Sequence, residues 1–142
     1  MKKKNFVIIF IVFFLNLSHA LSTEPDIFVQ STVNRASAIL GDSISKEKKI
    51  DNLKSIANET VDIKGIGFYT LGSFRKTLND EQKKIYSELF KDYFLISFSS
   101  RLAEYTNPEI DVYDKEILNK NYTIVNSLLK ATSERPEIKI DW

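Results

Sequence analysis

Residues 79–105 predict one long helix whose apolar surface is about twice as wide as a surface helix needs. Asn79 and Gln82 form a capping-box pattern at its start, and Asn107-Pro108 ends it. At about 100° per residue, its apolar side chains fall into two stripes that together cover roughly 200° of the helix. One stripe is Ile85, Leu89, Ile96 and Ala103, the other is Phe90, Phe94, Phe98 and Tyr105, and Tyr86 and Tyr93 bridge them. We expect packing partners on two sides of this helix.

A first helix is predicted upstream, over residues 25–40. Ser22 to Pro25 supplies a hydroxyl cap, an acidic residue and a proline in the first turn. Gly41 is expected to close the helix in a left-handed cap. The buried face follows helical spacing, with Val29, Val33, Ala36 and Leu40.

Two further helices are predicted before the long one. Ser45 is expected to cap the second, whose lysines stay in solvent while Ile50, Leu53 and Ala57 form the apolar stripe. Those lysines are Lys46, Lys48, Lys49 and Lys54. Residues 61–72 predict a short, weak helix that begins at Asp62 and ends at Gly72, because its internal glycines oppose helix formation.

After Pro108 the apolar period changes from helical to strand-like. Ile110 and Val112 alternate with polar residues, residues 122–125 are β-branched and aromatic, and residues 138–142 alternate again. Helices followed by strands predict an α+β fold with a small antiparallel sheet. Because the chain stops at Trp142 within an alternating strand, we expect a domain that is incomplete at its C-terminus.

The first twenty residues predict a signal peptide. Lys2 to Lys4 precede an apolar run from Phe6 to Leu15, and Ser18-His19-Ala20 has the small-x-small pattern of a cleavage site. As a helix the run would span about 15 Å, half the hydrocarbon thickness of a bilayer. The expected mature product is one exported domain, residues 21–142.

Charge and residue types exclude several classes of function. Without residues 1–20 the chain would hold 17 basic and 19 acidic residues, so binding to nucleic acid is not expected. Cysteine is absent, and His19 lies in the signal segment. Catalytic triads, thiolate or imidazole metal sites and disulfides are therefore excluded. A carboxylate-based hydrolase stays open, although an ion pair with Arg101 is the simpler interpretation of Glu104.

Residues 61–105 resemble the MlaC family of periplasmic phospholipid-binding proteins, also known as toluene-tolerance proteins. The resemblance rests on Leu71-Gly72 with Phe74 and Arg75, on Asp80-Glu81-Gln82, on Leu89-Phe90 with Tyr93, and on Arg101 to Tyr105. Residues 122–125 and 135–141 resemble the family's sheet. The chain departs from the family pattern at Asp80, Gly65 and Gly67, and family members continue past its end.

The resemblance implies an NTF2/cystatin-like fold in which the long helix packs on the sheet. It also implies a periplasmic shuttle, without cofactor or catalysis, that carries phospholipid and helps maintain outer-membrane lipid asymmetry. Implied partners are an inner-membrane ABC transporter complex and an outer-membrane lipoprotein complex. The residues expected to line the lipid cavity are Leu71, Phe74, Phe90, Phe94, Phe98, Leu102, Ile124 and Leu128.

Other interpretations of the same pattern remain open. The phenylalanine stripe is the spacing of an ordinary core as well as of a ligand cavity. A ligand-free interaction domain or a non-functional gene remnant would then replace the shuttle, and the hydrolase is the third alternative.

Overall fold

Within the described residues, four α-helices precede a three-stranded antiparallel sheet, which confirms the predicted α+β fold. The computed structural model describes residues 23–133 and 135–142, so the predicted signal peptide lies outside the described residues. The helices are α1 (Pro25–Gly41), α2 (Lys46–Thr60), α3 (Ile63–Thr70) and α4 (Asp80–Leu102), with a 3₁₀ helix (Gly72–Lys76) between α3 and α4. The strands are β1 (Ile110–Asn119), β2 (Tyr122–Leu129) and β3 (Ile138–Asp141).

The sheet has the order β1-β2-β3, with β2 in the centre. Val125, Ser127 and Leu129 of β2 are buried, and the residues between them are half-buried, so the two faces of the strand differ. Pairing continues to the chain end, where the Trp142 N–H donates to the Val125 carbonyl at 2.9 Å. The Trp142 indole also donates to the Ser127 hydroxyl at 2.8 Å, which satisfies a buried polar group.

The sheet packs against α1. Val29 and Val33 of α1 form a buried cluster with Val125, and Ile110 and Val112 of β1 pack against this cluster. Two residues of the predicted apolar face, Val29 and Val33, therefore hold the sheet.

Helix α2 packs between α1 and α4. The Ser45 hydroxyl accepts from the Lys48 N–H, as predicted, and Leu53, Ile56 and Ala57 are buried. Two predicted exposures are wrong, because Lys54 is half-buried beside Asp51 and the Lys49 ammonium donates to the Leu40 carbonyl at 2.7 Å. Lys49 is half-buried there and satisfies a carbonyl at the end of α1.

The predicted caps of α1 are wrong in two details. Glu24 is the N-cap residue without a side-chain cap, because its carboxylate accepts from Lys115 instead. Gly41 is the last helical residue, and the following Asp42 is extended. A Cβ on Gly41 would lie 2.8 Å from the Asn107 side chain, so close approach explains this glycine. The left-handed glycine is Gly72, with φ +54°.

Helix α4 begins with the predicted capping box and ends at Leu102, three residues earlier than predicted. It packs mainly on α2 and α3. The expectation of cover on two sides is wrong for the described residues, because Ile85, Leu89 and Ile96 are 50%, 65% and 56% exposed. Within the described part of the chain, no helix is both long and apolar enough to cross a bilayer.

Truncation of Leu53 should destabilise the fold strongly. Leu53 is 2% exposed, so Leu53→Ala should lower the free energy of unfolding by about 2–5 kcal/mol through lost burial and a cavity. Leu89→Ala is the matched control on the exposed stripe and should cost under about 0.5 kcal/mol. Urea unfolding followed by circular dichroism measures both, and equal losses would contradict the burial assigned to α2.

Candidate functional site

The candidate site is a row of aromatic rings along α4, which we call the aromatic row. Phe90, Phe94 and Phe98 are half-buried. Their ring centroids are 6.2 Å apart between Phe90 and Phe94 and 5.3 Å apart between Phe94 and Phe98, with nearly parallel planes. Tyr86 extends the row at its N-terminal end, 5.8 Å from Phe90. The i, i+4 spacing therefore produces a continuous apolar strip on one side of the helix.

Helix α3 holds the N-terminal end of the aromatic row. A Cβ on Gly67 would lie 2.8 Å from the Phe90 ring, so only glycine permits this contact. The Tyr86 hydroxyl donates to the Gly67 carbonyl at 3.2 Å and lies 2.9 Å from the Thr70 hydroxyl. Because Asp62 caps α3 through the Gly65 N–H, the short helix forms despite its glycines.

Two of these positioning residues were not identified as such from the sequence. Gly67 belongs to a Gly-x-Gly pair that lacks the further elements of a nucleotide motif, and Tyr86 was assigned only as a bridge between stripes. A glycine within an apolar helix was the available signal, since it indicates close approach of another element.

The predicted lining residues occupy different surroundings. Leu102 follows Phe98 by one turn on α4 and is half-buried, as is Leu71 at the C-terminal end of α3. Phe74 in the 3₁₀ helix is 69% exposed. Ile124 and Leu128 are half-buried on β2 and alternate with the residues that face α1. The structure brings the α4 residues together in one strip and puts the β2 pair on the other face of the sheet.

Two open clefts lie outside this set of residues. One, of about 550 Å³, lies between α1 and β1 and includes Asp26, Ile27, Arg35, Val112 and Lys115. The other, of about 460 Å³, lies between α3 and α4 and includes Lys64, Phe68, Lys83 and Lys84. None of the eight predicted lining residues borders either cleft.

Ion pairs fix the elements around the first cleft. The Lys115 ammonium on β1 binds the Glu24 carboxylate at 2.7 Å and the Asp26 carboxylate at 2.6 Å, at the start of α1. Hydrogen bonding from Lys115 lowers the pKa of Asp26 below its ordinary value of 3.8. At the other end, Arg35 and Glu59 form a two-bond pair that joins α1 to α2.

Glu104, the carboxylate considered above for hydrolysis, forms a structural ion pair. Glu104 pairs with Arg135 at 3.2 Å, so the predicted pair with Arg101 is wrong. The Arg135 guanidinium also lies over the Tyr105 ring, 4.4 Å from its centroid. This cation–π contact helps to hold Arg135 near the C-terminal end of α4. Among residues 23–133 and 135–142, no group of acidic residues has the arrangement of a metal site.

Comparison with solved structures identifies a protein of the same fold. The phospholipid-binding protein from Ralstonia solanacearum, solved in complex with a phospholipid, matches with a TM-score of 0.66 and 16% sequence identity. The match covers 84% of this chain and 69% of that chain. A search of curated proteins gives no match. The helices and small sheet are therefore the α+β fold of this phospholipid-binding protein.

The family assignment follows from a second comparison. The model of the MlaC family, described as MlaC protein, matches residues 30–142. This chain belongs to the MlaC family, which confirms the resemblance seen in the sequence.

The ion pair between Lys115 and Asp26 predicts that the fold loses stability as the pH falls into the acidic range. Because the folded-state pKa of Asp26 is lowered, its contribution is present above its ordinary pKa and is lost as pH falls through the folded-state pKa. In Asp26→Asn this contribution is missing at neutral pH. The difference in melting temperature between wild type and variant should therefore narrow from about pH 6 to about pH 2. A constant difference over that range would show that the Asp26 charge does not stabilise the fold.

Proposed function

We propose that this protein binds a phospholipid and carries it across the periplasm as part of an ABC-type intermembrane lipid transport system. The family assignment supports binding rather than catalysis. The protein of the same fold that was solved in complex with a phospholipid supports a phospholipid as cargo. The observation that carries the proposal is the half-buried aromatic row on α4.

The aromatic row suits an acyl chain physically. From Phe90 to Leu102 the strip extends about 18 Å along the helix. Each methylene that leaves water contributes about 0.8 kcal/mol, so apolar contact alone supplies affinity. The described carboxylates pair with lysine or arginine in several places, and cargo binding requires none of them.

We assign the cargo contacts to the predicted set of residues. The tails would lie along Phe90, Phe94, Phe98 and Leu102, with Leu71 and Phe74 at the α3 end. Ile124 and Leu128 would form the sheet side of the cavity. The headgroup would stay hydrated, because the row is only half-buried.

The family assignment also supports a proposal for two transport partners. The inner-membrane ABC transporter complex and the outer-membrane lipoprotein complex would exchange lipid with this protein, in the service of outer-membrane asymmetry. Residues 1–20 would direct export and be removed near Ala20, which puts the mature protein in the periplasm.

A ligand-free interaction domain is the second candidate. The exposed stripe of Ile85, Leu89 and Ile96 favours it, because contiguous exposed apolar residues are typical of interaction surfaces. A lipid shuttle should be purified with bound phospholipid, whereas a ligand-free interaction domain should be purified without it.

Native mass spectrometry of the exported product tests the cargo. The full chain is expressed in a bacterial host, purified from the periplasm and analysed intact and after lipid extraction. We expect cleavage near Ala20 and about one diacyl phospholipid per chain. A folded chain without lipid would favour the interaction domain, and an unfolded chain would favour the gene remnant.

Charges in the aromatic row should abolish lipid binding. Phe94→Asp with Phe98→Asp puts two carboxylates where the tails would lie, which is costly in an apolar site. Lipid per chain should fall at least tenfold. The matched control is Leu89→Asp with Ile96→Asp on the exposed stripe, which should retain lipid. Circular dichroism identifies the folded samples, and full lipid content in the folded Phe94/Phe98 variant would refute the assignment.

A further inference from the structure

The segment of residues 63–79, which we call the α3 hairpin segment, presents large apolar side chains to solvent. Tyr69 is 80% exposed, Phe74 is 69% exposed and Ile66 is 39% exposed. Tyr69 lies on the side of α3 away from the buried Ile63 and Gly67, and Ile66 lies between the two sides. The 3₁₀ helix that follows has no buried residue.

The charge of this segment has one sign. It contains Lys64, Arg75 and Lys76 and no carboxylate. Within the described residues, neither Arg75 nor Lys76 forms an ion pair. Lys84 follows in the second turn of α4 and borders the same cleft as Lys64, together with Asp80 and Glu88. Lys64 lies over the Phe68 ring at 5.9 Å, so the cations of this segment with neither an ion pair nor a ring contact among the described residues are Arg75 and Lys76, next to the exposed Phe74.

The exposed stripe of α4 provides a contrast within the same molecule. Ile85, Leu89 and Ile96 are similarly exposed, but Glu81, Glu88 and Asp92 lie along one edge of that stripe by helical geometry. An anionic surface would repel this stripe and attract the α3 hairpin segment. Charge therefore distinguishes the two apolar surfaces.

We propose that the α3 hairpin segment docks the protein onto an anionic lipid bilayer. Tyrosine and phenylalanine rings favour the interface between headgroups and acyl chains, and Lys and Arg near the surface are attracted to anionic lipids. The bound state is peripheral, with Tyr69 and Ile66 at headgroup depth and Arg75 and Lys76 near the phosphates. The proposal goes beyond cargo binding, since a cargo could also be exchanged entirely through partner proteins.

Vesicle co-sedimentation tests the proposal. The periplasmic product, its processed N-terminus verified by mass, is mixed with phosphatidylcholine vesicles that contain about one third phosphatidylglycerol, and with pure phosphatidylcholine vesicles. We expect binding to the anionic vesicles, weaker binding to the neutral ones, and loss of binding as salt is raised. Absence of binding to anionic vesicles at low salt would overturn the proposal.

Variants locate the contact. Arg75→Glu with Lys76→Glu should lower the partition coefficient at least tenfold, because each cation near an anionic surface contributes about fivefold. Tyr69→Ser should lower it severalfold. Phe74 is left intact in these variants because it belongs to the proposed cargo site.

The matched controls separate location from net charge. Lys46→Glu with Lys48→Glu makes the same charge change on exposed positions of α2, and Leu89→Ser removes an exposed apolar residue from the acid-edged stripe. Both should bind vesicles like wild type, and an equal loss in the α2 variant would overturn the assignment to the α3 hairpin segment. Phospholipid per chain, measured in the same samples, reports on the cargo independently. Vesicle binding without cargo would refute the proposed function alone, whereas cargo without vesicle binding would refute this inference alone.

Discussion

Burial of Val29 and Val33 of α1 against Val125 of β2 is the contact on which the rest of the structure depends. It joins the helical part of the chain to the sheet, and the Lys115 ion pairs join β1 of the same sheet to the start of α1. Helix α1 also binds α2, through the hydrogen bond from Lys49 to the Leu40 carbonyl and through the Arg35–Glu59 ion pair. Since α2 in turn packs on α4, a shift of α1 would move the sheet and the long helix relative to each other.

The two apolar stripes of α4 have different surroundings although the sequence makes both equally apolar. The aromatic row is half-buried, and α3 fits against it because Gly67 removes the side chain that would collide with Phe90. The other stripe has no such partner among the described residues, and its isoleucines and leucine are in solvent. Helical spacing defines which residues share a face, but the partner of each face depends on complementary shapes elsewhere in the chain.

Local chemistry made the elements predictable from the sequence. The capping box at Asn79 and the caps at Ser45 and Asp62 depend on side chains that bond to amides three residues away, so their patterns are visible along the chain. The exceptions arise from distant partners. Glu24 binds Lys115, Glu104 binds Arg135, and Gly41 makes room for Asn107. None of these long-range contacts has a periodic signal, because each joins residues that only the folded chain brings together.

The same reasoning applies to the site. The stacking of Phe90, Phe94 and Phe98 follows from i, i+4 spacing, whereas the positions of Phe74, Ile124 and Leu128 depend on how the 3₁₀ helix and the sheet are oriented. These three residues were assigned through the family resemblance, and their relation to the row stays a prediction.

The contact between Gly67 and Phe90 links the two proposals physically. Gly67 belongs to the α3 hairpin segment, and Phe90 is the first phenylalanine of the aromatic row, so the proposed membrane contact and the proposed cargo site meet at this point. The two contacts use opposite sides of α3, because Tyr69 is in solvent two residues after the buried Gly67, about 200° around the helix. The position of α3 on α4 therefore determines where the proposed membrane contact lies relative to the aromatic row, and the Gly67–Phe90 contact sets that position.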